Sequence, residues 1–450
     1  MRAKPLVLTG WGRAIRANTR AFRPERRSEA LAALLSGEAR PSIIPFGAGR
    51  SYGDTALNDG GATILTGRLD RFLDFDPEGD LLVCEPGVTF RQIEAAFLPR
   101  GLIAPVSPGT AFATIGGAVA NDVHGKNHDR VGSFGDHVAW VDLALPSGEI
   151  VRASPQENPG LFAATIGGIG LTGLMVAVAF RMKRVPSGHM VVREQRLPDI
   201  GAFMAALVEA RRSAAYSVGW IDAVAKGAGL GRGILQTADF ASADQAAPAS
   251  GAGPREMRLP VDLPGIVLNR HSIGLFNHLY YTRVPADGRE RVQPAGKFLY
   301  PLDAIRDWNR MYGKNGFHQF QCVIPDGEAE RGIPALVEAI AGAGSASFLA
   351  VLKTLGGPGR GHLSFPMSGF TLALDFPVRA GTAELMARLE RLVLAHGGRI
   401  YLAKDASLSP EGFRRMYPRL PEFRAVLDRV DPDRRLGSDM SRRLRIREAA

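Results

Sequence analysis

Short apolar runs and apolar residues at helical spacing alternate along the first 185 residues of the chain. Leu31, Leu34 and Leu35 fall on one side of a helix predicted over 28–38. Strand-like runs follow at 41–45, 62–65 and 81–85, and Pro86-Gly87 turns the chain. Phe90, Ile93 and Phe97 recur at helical spacing, which predicts a helix over 90–98. Residues 101–135 are glycine-rich with little regular period. The runs 138–145 and 149–153 read as a hairpin around Pro146-Ser147-Gly148, and 174–180 as a further strand. No clean βαβ alternation is present, so the fold class is α+β rather than a doubly wound sheet.

The pattern changes near residue 186. A helix over 198–211 precedes a strand over 217–222. Residues 240–262 and 284–297 read as two mobile surface loops. Then come a strand (317–325), a helix (328–342), strands at 346–355 and 370–376, a helix (382–396) and a strand at 399–402 before a basic tail. That order reads as a second α+β unit, a sheet with its helices on one face.

Composition narrows the classes. The chain has 450 residues, of which 45% are hydrophobic and 22% charged, which excludes a disordered polymer. No apolar run reaches the roughly 20 residues of a membrane span. The apolar run after Met1 is too short for a signal peptide, so a cytoplasmic location is expected. Cys84 and Cys322 stand alone in apolar runs and read as buried thiols. The net charge of +10 points to an anionic partner. No nucleic-acid-binding motif accompanies it, so no nucleic-acid partner is expected.

Three glycine clusters carry the candidate chemistry. The first is Phe46-Gly47-Ala48-Gly49-Arg50-Ser51-Tyr52-Gly53-Asp54, directly after a strand. Its spacing is G-x-G-x-x-x-G, and turn residues follow instead of a helix, so it is not a Rossmann loop. Alone it is equally a tight turn or a phosphate cradle. The second lies in 107–128, where Gly116-Gly117 opens a short small-residue helix. The third is Gly167-Gly168-Ile169-Gly170 with Gly173. Three such loops together argue for an extended ligand such as a dinucleotide. His124 and His128 lack a third ligand nearby, so no metal is expected.

Motifs in order along the chain then resemble one family. They include Leu8-Thr9-Gly10-Trp11-Gly12, Gly49-Arg50-Ser51-Tyr52-Gly53-Asp54 and His124-Gly125-Lys126-Asn127-His128. Further matches are Trp308-Asn309-Arg310, Leu363-Ser364-Phe365-Pro366, Tyr401-Leu402-Ala403-Lys404-Asp405 and Ser438-Asp439-Met440. The sequence resembles the vanillyl-alcohol-oxidase (PCMH-type) FAD-binding proteins, in the subgroup acting on polyprenyl-phosphoryl ribose. The resemblance implies an FAD-binding domain over 1–185 in two α+β subdomains. It also implies an inserted α+β substrate domain over 186–396, of antiparallel sheet plus helices. The segment 397–450 would return to the FAD domain.

The expected cofactor contacts are Phe46, Gly47, Ala48, Gly49, Arg50, Ser51, Tyr52, Gly53 and Asp54 in the first loop. The second loop adds Gly109, Thr114, Ile115, Gly116, Gly117, Asn121, Asp122, Val123 and His124, and Leu174 and Tyr401 complete the set. Arg50 stands where many relatives carry the histidine that links the flavin, so FAD should be non-covalent. Ala373 stands where mycobacterial relatives have a cysteine.

On the substrate side, Gln319 and Gln321 share one face of the 317–325 strand and could hydrogen-bond sugar hydroxyls. His318, Phe320, Cys322 and Ile324 form the mostly apolar face that should meet the helices. Lys353 sits in an apolar run and needs a partner, such as a substrate phosphate or hydroxyl. Lys404, Lys126 and His124 are the catalytic candidates. Alcohol oxidation requires a base for the hydroxyl proton and a cation for charge developing on the flavin. Lys404 and Lys126 suit either part.

The expected reaction oxidises the 2′-hydroxyl of a polyprenyl-phosphoryl ribose, with a short-chain dehydrogenase/reductase as functional partner and peripheral membrane association. A soluble alditol or aldonolactone is the alternative substrate. A non-catalytic nucleotide- or polyanion-binding protein is the reading from another class.

Overall fold

The computed structural model describes residues 2–246, 257–265, 267–344 and 348–447. A four-stranded sheet near the N-terminus runs in the order Lys4–Thr9, Arg16–Phe22, Ala62–Leu65, Ile43–Phe46. Ile43, Ala62 and Ile64 from this sheet share a buried core with Ala30, Ala33 and Leu34 of the helix Arg27–Leu35. A five-stranded antiparallel sheet follows, in the order Phe72–Asp76, Leu81–Cys84, Leu174–Arg181, Val138–Ala144, Ile150–Ala153. The expected hairpin is present, with Val141 opposite Ala153. The expected helix at 90–98 spans Phe90–Phe97 and buries Phe90, Ile93 and Phe97. Thr89 and Gln92 form a capping box that fixes its start.

After Arg184 the chain builds an eight-stranded antiparallel sheet. Its order is Arg289–Pro294, His189–Leu197, Gly233–Phe240, Tyr216–Ile221, Ala350–Leu355, Gly369–Pro377, Phe317–Pro325, Arg399–Ile400. The helices Ile200–Ser213, Asp326–Ala343 and Thr382–Ala395 pack against it. Phe320, Cys322 and Ile324 join Ile333, Leu336 and Ile340 of the second helix in the main core. The alternation read from 317–325 therefore holds, and the opposite face, with Gln319 and Gln321, is left for a ligand. Both cysteines are buried and free. The fold is α+β, as the pattern predicted.

The 284–297 segment corrects the expectation of a loop. Residues Arg289–Pro294 form the edge strand of the large sheet, and Ala295–Leu299 form a short helix. In the strand the side chains alternate, so Arg289 and Arg291 lie on one face, beside the buried Glu194 of the next strand. Of the other expected loop, 240–262, residues 247–256 lie outside the described residues. Its end, Met257–Arg258, pairs in parallel with Ile305–Arg306.

One ion-pair cluster joins the first glycine loop to the C-terminal segment. Arg443, in the short helix Asp439–Arg443, donates to Asp54 and to Asp405, each at 2.8 Å. Both carboxylates are buried. Around them Tyr52 N donates to Ala403 O at 3.0 Å, and Thr55 Oγ1 to Leu402 O at 3.0 Å. A Cβ on Gly53 would stand 1.8 Å from Asp405 O, so no larger residue fits this junction. Arg443→Ala leaves two buried carboxylates uncompensated and should cost about 3–5 kcal/mol. Chemical denaturation should show the loss, and Arg443→Lys should recover only part of it because one ammonium lacks the planar fork.

Candidate active site

A cavity of ≈ 750 Å³ lies between the glycine loops and the face of the eight-stranded sheet that carries Gln319, Gln321 and Lys353. The first loop, Phe46 to Gly53, forms one wall. The backbone N–H groups of Ala48, Gly49, Arg50 and Ser51 donate to no protein group among the described residues. Gly49 has φ +64, and a Cβ on Gly47 would meet Thr114 Oγ1 at 2.5 Å. The second loop closes against the first at that point. Thr114 caps the helix Ile115–Ala120 by accepting from Gly117 N at 3.2 Å. Arg50 stacks over Trp11 (4.0 Å) and Phe112 (4.9 Å). Several buried polar atoms on this wall have no protein partner: Arg50 Nε, Asn121 Oδ1 and His124 Nδ1. An open backbone cradle with orphaned donors and acceptors fits a large polar cofactor such as FAD.

The opposite wall is the sheet. Gln319 pairs in register with Asp375, and Gln321 with Ala373. Gln319 Nε2 donates to Asp375 Oδ1 (2.5 Å), and Tyr312 OH to Asp375 Oδ2 (3.0 Å). Gln321 Nε2 donates to Thr371 Oγ1 (3.1 Å) and to His124 Nε2 (2.9 Å). The last contact places the His124 ring proton on the orphaned Nδ1. Tyr401 stacks on Phe365 at 4.6 Å, gives its hydroxyl to Asn121 O at 3.0 Å and lies 5.1 Å from His124.

Three lysines converge between the walls. Lys404 Nζ stands 3.8 Å from the centre of the Tyr52 ring and has no hydrogen-bond acceptor among the described residues. Lys353 Nζ donates to Gly125 O at 3.3 Å. Lys126 Nζ donates to Phe298 O and to Leu299 O, the latter at 3.2 Å. Burial pulls all three below the ordinary lysine range. Lys126 falls to about 7, with the Lys353 charge adding to the effect. Lys353 falls to about 8, partly offset by Asp129. Lys404 falls to about 7, opposed by Asp375 and assisted by Lys353. Burial pushes Asp375 up to about 7 against the hydrogen bonds of Gln319 and Tyr312. Burial, then Lys353, His128 and Lys404, hold His124 well below the usual imidazole value, so its ring is neutral. Groups poised near neutrality are what proton transfer requires.

Most sequence-predicted site residues line this cavity. They include Lys126, His124, Lys353, Lys404, Gln319, Gln321, Gly109, Gly116, Gly117, Val123, Leu174 and Tyr401. Three do not. Asp54 is engaged by Arg443. The Ile115 side chain is wholly buried in the main core. Asp122 is buried, has φ 41, and accepts from Ser133 Oγ, Ser364 Oγ and Gly135 N. These three shape the cradle from behind. His124 and His128 do not converge, since His128 Nδ1 accepts from Gly356 N at 3.0 Å. Sequence reasoning missed Asp375, Trp220, Arg283 and Arg291. Asp375 could have been found from the alternation of Thr371, Ala373 and Asp375. Arg291 depends on a strand pairing and Arg283 on the position of the helix Arg270–Thr282 that it ends, neither of which a local pattern reveals.

Cradle, lysines and sheet wall together define an FAD-dependent oxidoreductase with a PCMH-type FAD-binding fold. Residues 21–154 match the family of FAD binding domains, and residues 371–444 match D-arabinono-1,4-lactone oxidase. The chain is 37% identical over 419 residues to the decaprenylphosphoryl-beta-D-ribose oxidase of Mycolicibacterium smegmatis, covering 91% of this chain and 90% of that protein. It is 33% identical over 372 residues to an uncharacterized protein of Streptomyces coelicolor, covering 79% and 100%. A D-lactate dehydrogenase of Anaerostipes hadrus is 25% identical over 173 residues, 37% of this chain and 36% of that one. The chain belongs to the decaprenylphosphoryl-ribose oxidase family of FAD-linked oxidoreductases.

Proposed function

We propose that this protein oxidises the 2′-hydroxyl of a polyprenyl-phosphoryl-β-D-ribose to the 2′-ketone. The charge of the cavity carries this reading. Arg50, Lys126, Arg283, Arg291, Lys297, Lys353 and Lys404 line it, against Asp303 as the one acidic lining residue among those described. Such a field favours an anionic substrate over a neutral polyol. The M. smegmatis relative, named for decaprenylphosphoryl ribose, supports the same sugar.

Bound FAD supplies the hydride acceptor, and Phe46 to Gly53, Thr114 to Gly117 and His124 would hold it. Lys404 has no competing acceptor and lies near neutrality, so it takes the hydroxyl proton. Gln319 and Gln321 orient the sugar from the sheet. Lys353 and Lys126 supply positive charge beside the reacting carbon. Arg50 occupies the first-loop position where many relatives carry the linking histidine, which supports a flavin held without a covalent bond. The keto product would pass to a separate short-chain dehydrogenase/reductase. A soluble aldonolactone is the second reading, favoured by the match of residues 371–444 to D-arabinono-1,4-lactone oxidase.

Peripheral membrane contact fits a lipid-linked substrate. No helix among the described residues is long and apolar enough to cross a membrane. The helix Arg270–Thr282 instead exposes Leu275 (63%), Phe276 (46%) and Leu279 (60%). Its Tyr280, together with Arg283 just beyond its end, lines the cavity. Basic Arg270 stands at the start of the helix beside the apolar patch, which suits a helix lying on an anionic bilayer.

The purified protein should be yellow, and acid precipitation should leave FAD in the supernatant; colour retained in the pellet would sink the non-covalent assignment. Anaerobic mixing with prenyl-phosphoryl ribose should bleach the flavin far faster than alditols or aldonolactones do, and the reverse order would favour the second reading. With prenyl-phosphoryl ribose, kcat/KM should rise as pH increases through about 7, because the base must be neutral. Lys404→Ala should lose that limb and about 10²–10⁴-fold in rate while retaining FAD. Co-sedimentation with phosphatidylglycerol vesicles should weaken in Leu275→Asp/Leu279→Asp, since each buried leucine contributes about 1.5–3 kcal/mol.

A further inference from the structure

We propose that Asp375 is a positioning residue: it fixes the Gln319 amide with its carbonyl toward the substrate, where that oxygen accepts from the hydroxyl next to the one oxidised. The inference rests on the substrate reading above and adds which side of the sugar the sheet recognises.

Asp375 lies in the strand Gly369–Pro377, directly opposite Gln319 of the strand Phe317–Pro325. It is wholly buried. No ammonium or guanidinium hydrogen-bonds to it among the described residues. Its donors are Gln319 Nε2 at 2.5 Å and Tyr312 OH at 3.0 Å. Tyr312 is itself held by stacking on Phe317 at 4.0 Å. A buried carboxylate with two neutral donors is costly. An asparagine of the same shape would hold Tyr312 at lower cost. An ionised carboxylate differs in one respect: it accepts at both oxygens and donates at neither. An asparagine can turn either its oxygen or its NH2 toward Gln319, so both orientations of the glutamine amide would be satisfied.

Asp375 does not line the cavity, whereas Gln319 does. With Nε2 committed to the carboxylate, Oε1 is the amide atom left for a ligand. Gln321 has the same polarity, because its Nε2 goes to Thr371 Oγ1 and to His124 Nε2. The sheet wall therefore offers two carbonyl oxygens, two residues apart on one face. Such a wall accepts from hydroxyl groups and repels phosphate oxygens.

The chemistry selects the hydroxyl. Lys404 takes the proton of the hydroxyl that is oxidised. Its Nζ stands 3.8 Å from the centre of the Tyr52 ring, and the hydroxyl of that ring lies beside the Gln319 amide. One phenol ring thus separates the base from the carbonyl. In a 1-phosphoryl ribose oxidised at C2, the reacting carbon has two neighbours, C1 with the phosphate and C3 with a hydroxyl. Gln319 Oε1 can accept only from the second. It therefore marks the C3 side of the sugar, and the phosphate lies on the side away from Asp375. Burial pushes Asp375 up to about 7, against the hydrogen bonds of Gln319 and Tyr312 and the charge of Lys404. Below that pH the protonated carboxyl can donate to Gln319 Oε1 and take the acceptor away from the sugar.

The test compares kcat/KM of the FAD-loaded enzyme for farnesyl-phosphoryl ribose and for its 3-deoxyribose analogue. The wild type above pH 7 should prefer the ribose at least about tenfold, a difference of about 1.4 kcal/mol. Asp375→Asn should bring this ratio below about threefold, chiefly by losing rate on the ribose. In the wild type the ratio should also fall as pH decreases through about 7. Protonation of Lys404 acts on both substrates and cancels in the ratio. Gln319→Met removes the carbonyl and gives the same reading if Asp375→Asn folds poorly. An equal loss on both substrates would make Asp375 structural only and overturn the proposal, as would a wild type that oxidises both equally well. If the ribose is not oxidised but D-arabinono-1,4-lactone is, the substrate reading falls, and the same ratio for the lactone against its 3-deoxy form decides the role of Asp375.

Discussion

The site depends on one guanidinium. Asp54 and Arg443 are 389 positions apart, yet the Arg443 fork bridges Asp54 at the end of the first glycine loop and Asp405 just after Lys404. Each partner would be costly to bury alone. Together they fix the loop that cradles the cofactor against the segment that carries the candidate base. The bare backbone of Gly53 lets the two segments touch. Lys404 is consequently held over the Tyr52 ring, on the boundary between the cofactor wall and the substrate wall.

That boundary also sets the acidity of the site. Three ammonium groups in one partly desolvated space cannot all stay charged at their ordinary values. Lys126 and Lys353 have backbone carbonyls to lean on, while Lys404 has only an aromatic face and a nearby Asp375. Asp375 is itself pushed up by burial and its oxygens are taken by Gln319 and Tyr312, so it does not hold Lys404 in a fixed ion pair. A lysine held this way can take up a proton without first breaking a strong contact.

The parts legible in the sequence were those whose chemistry is local. Glycine runs after strands, the short small-residue helix opened by Gly116-Gly117, and the alternation of Gln319 and Gln321 each lie within a few residues. Neighbouring residues were over-read for the same reason. Asp54, Ile115 and Asp122 share the glycine context but point into the core or into ion pairs, and side-chain direction within a loop follows from tertiary contacts. The edge strand Arg289–Pro294 was read as a loop because the turn residues Pro285 and Gly288 precede it. Only the pairing with Glu194, 95 positions away, turns its arginines inward. Asp375 was within reach of the alternation Thr371, Ala373, Asp375, but its partner Gln319 is 56 positions distant.

The large sheet explains how one fold can couple chemistry to recognition of a long substrate. The helices Ile200–Ser213, Asp326–Ala343 and Thr382–Ala395 pack on it, and the cavity face presents side chains in rows fixed by strand register. Central strands contribute Gln319, Gln321, Asp375 and Lys353 next to the cofactor wall. Outer strands contribute Gln236, Gln293 and Arg291 at the remote end. The lining therefore carries Gln319, Gln321 and Lys353 toward one end of the sheet and Arg283 and Arg291 toward the other. The distance between these functions is counted in strands. A substitution at either end can therefore alter binding or chemistry separately, provided the sheet between them keeps its register.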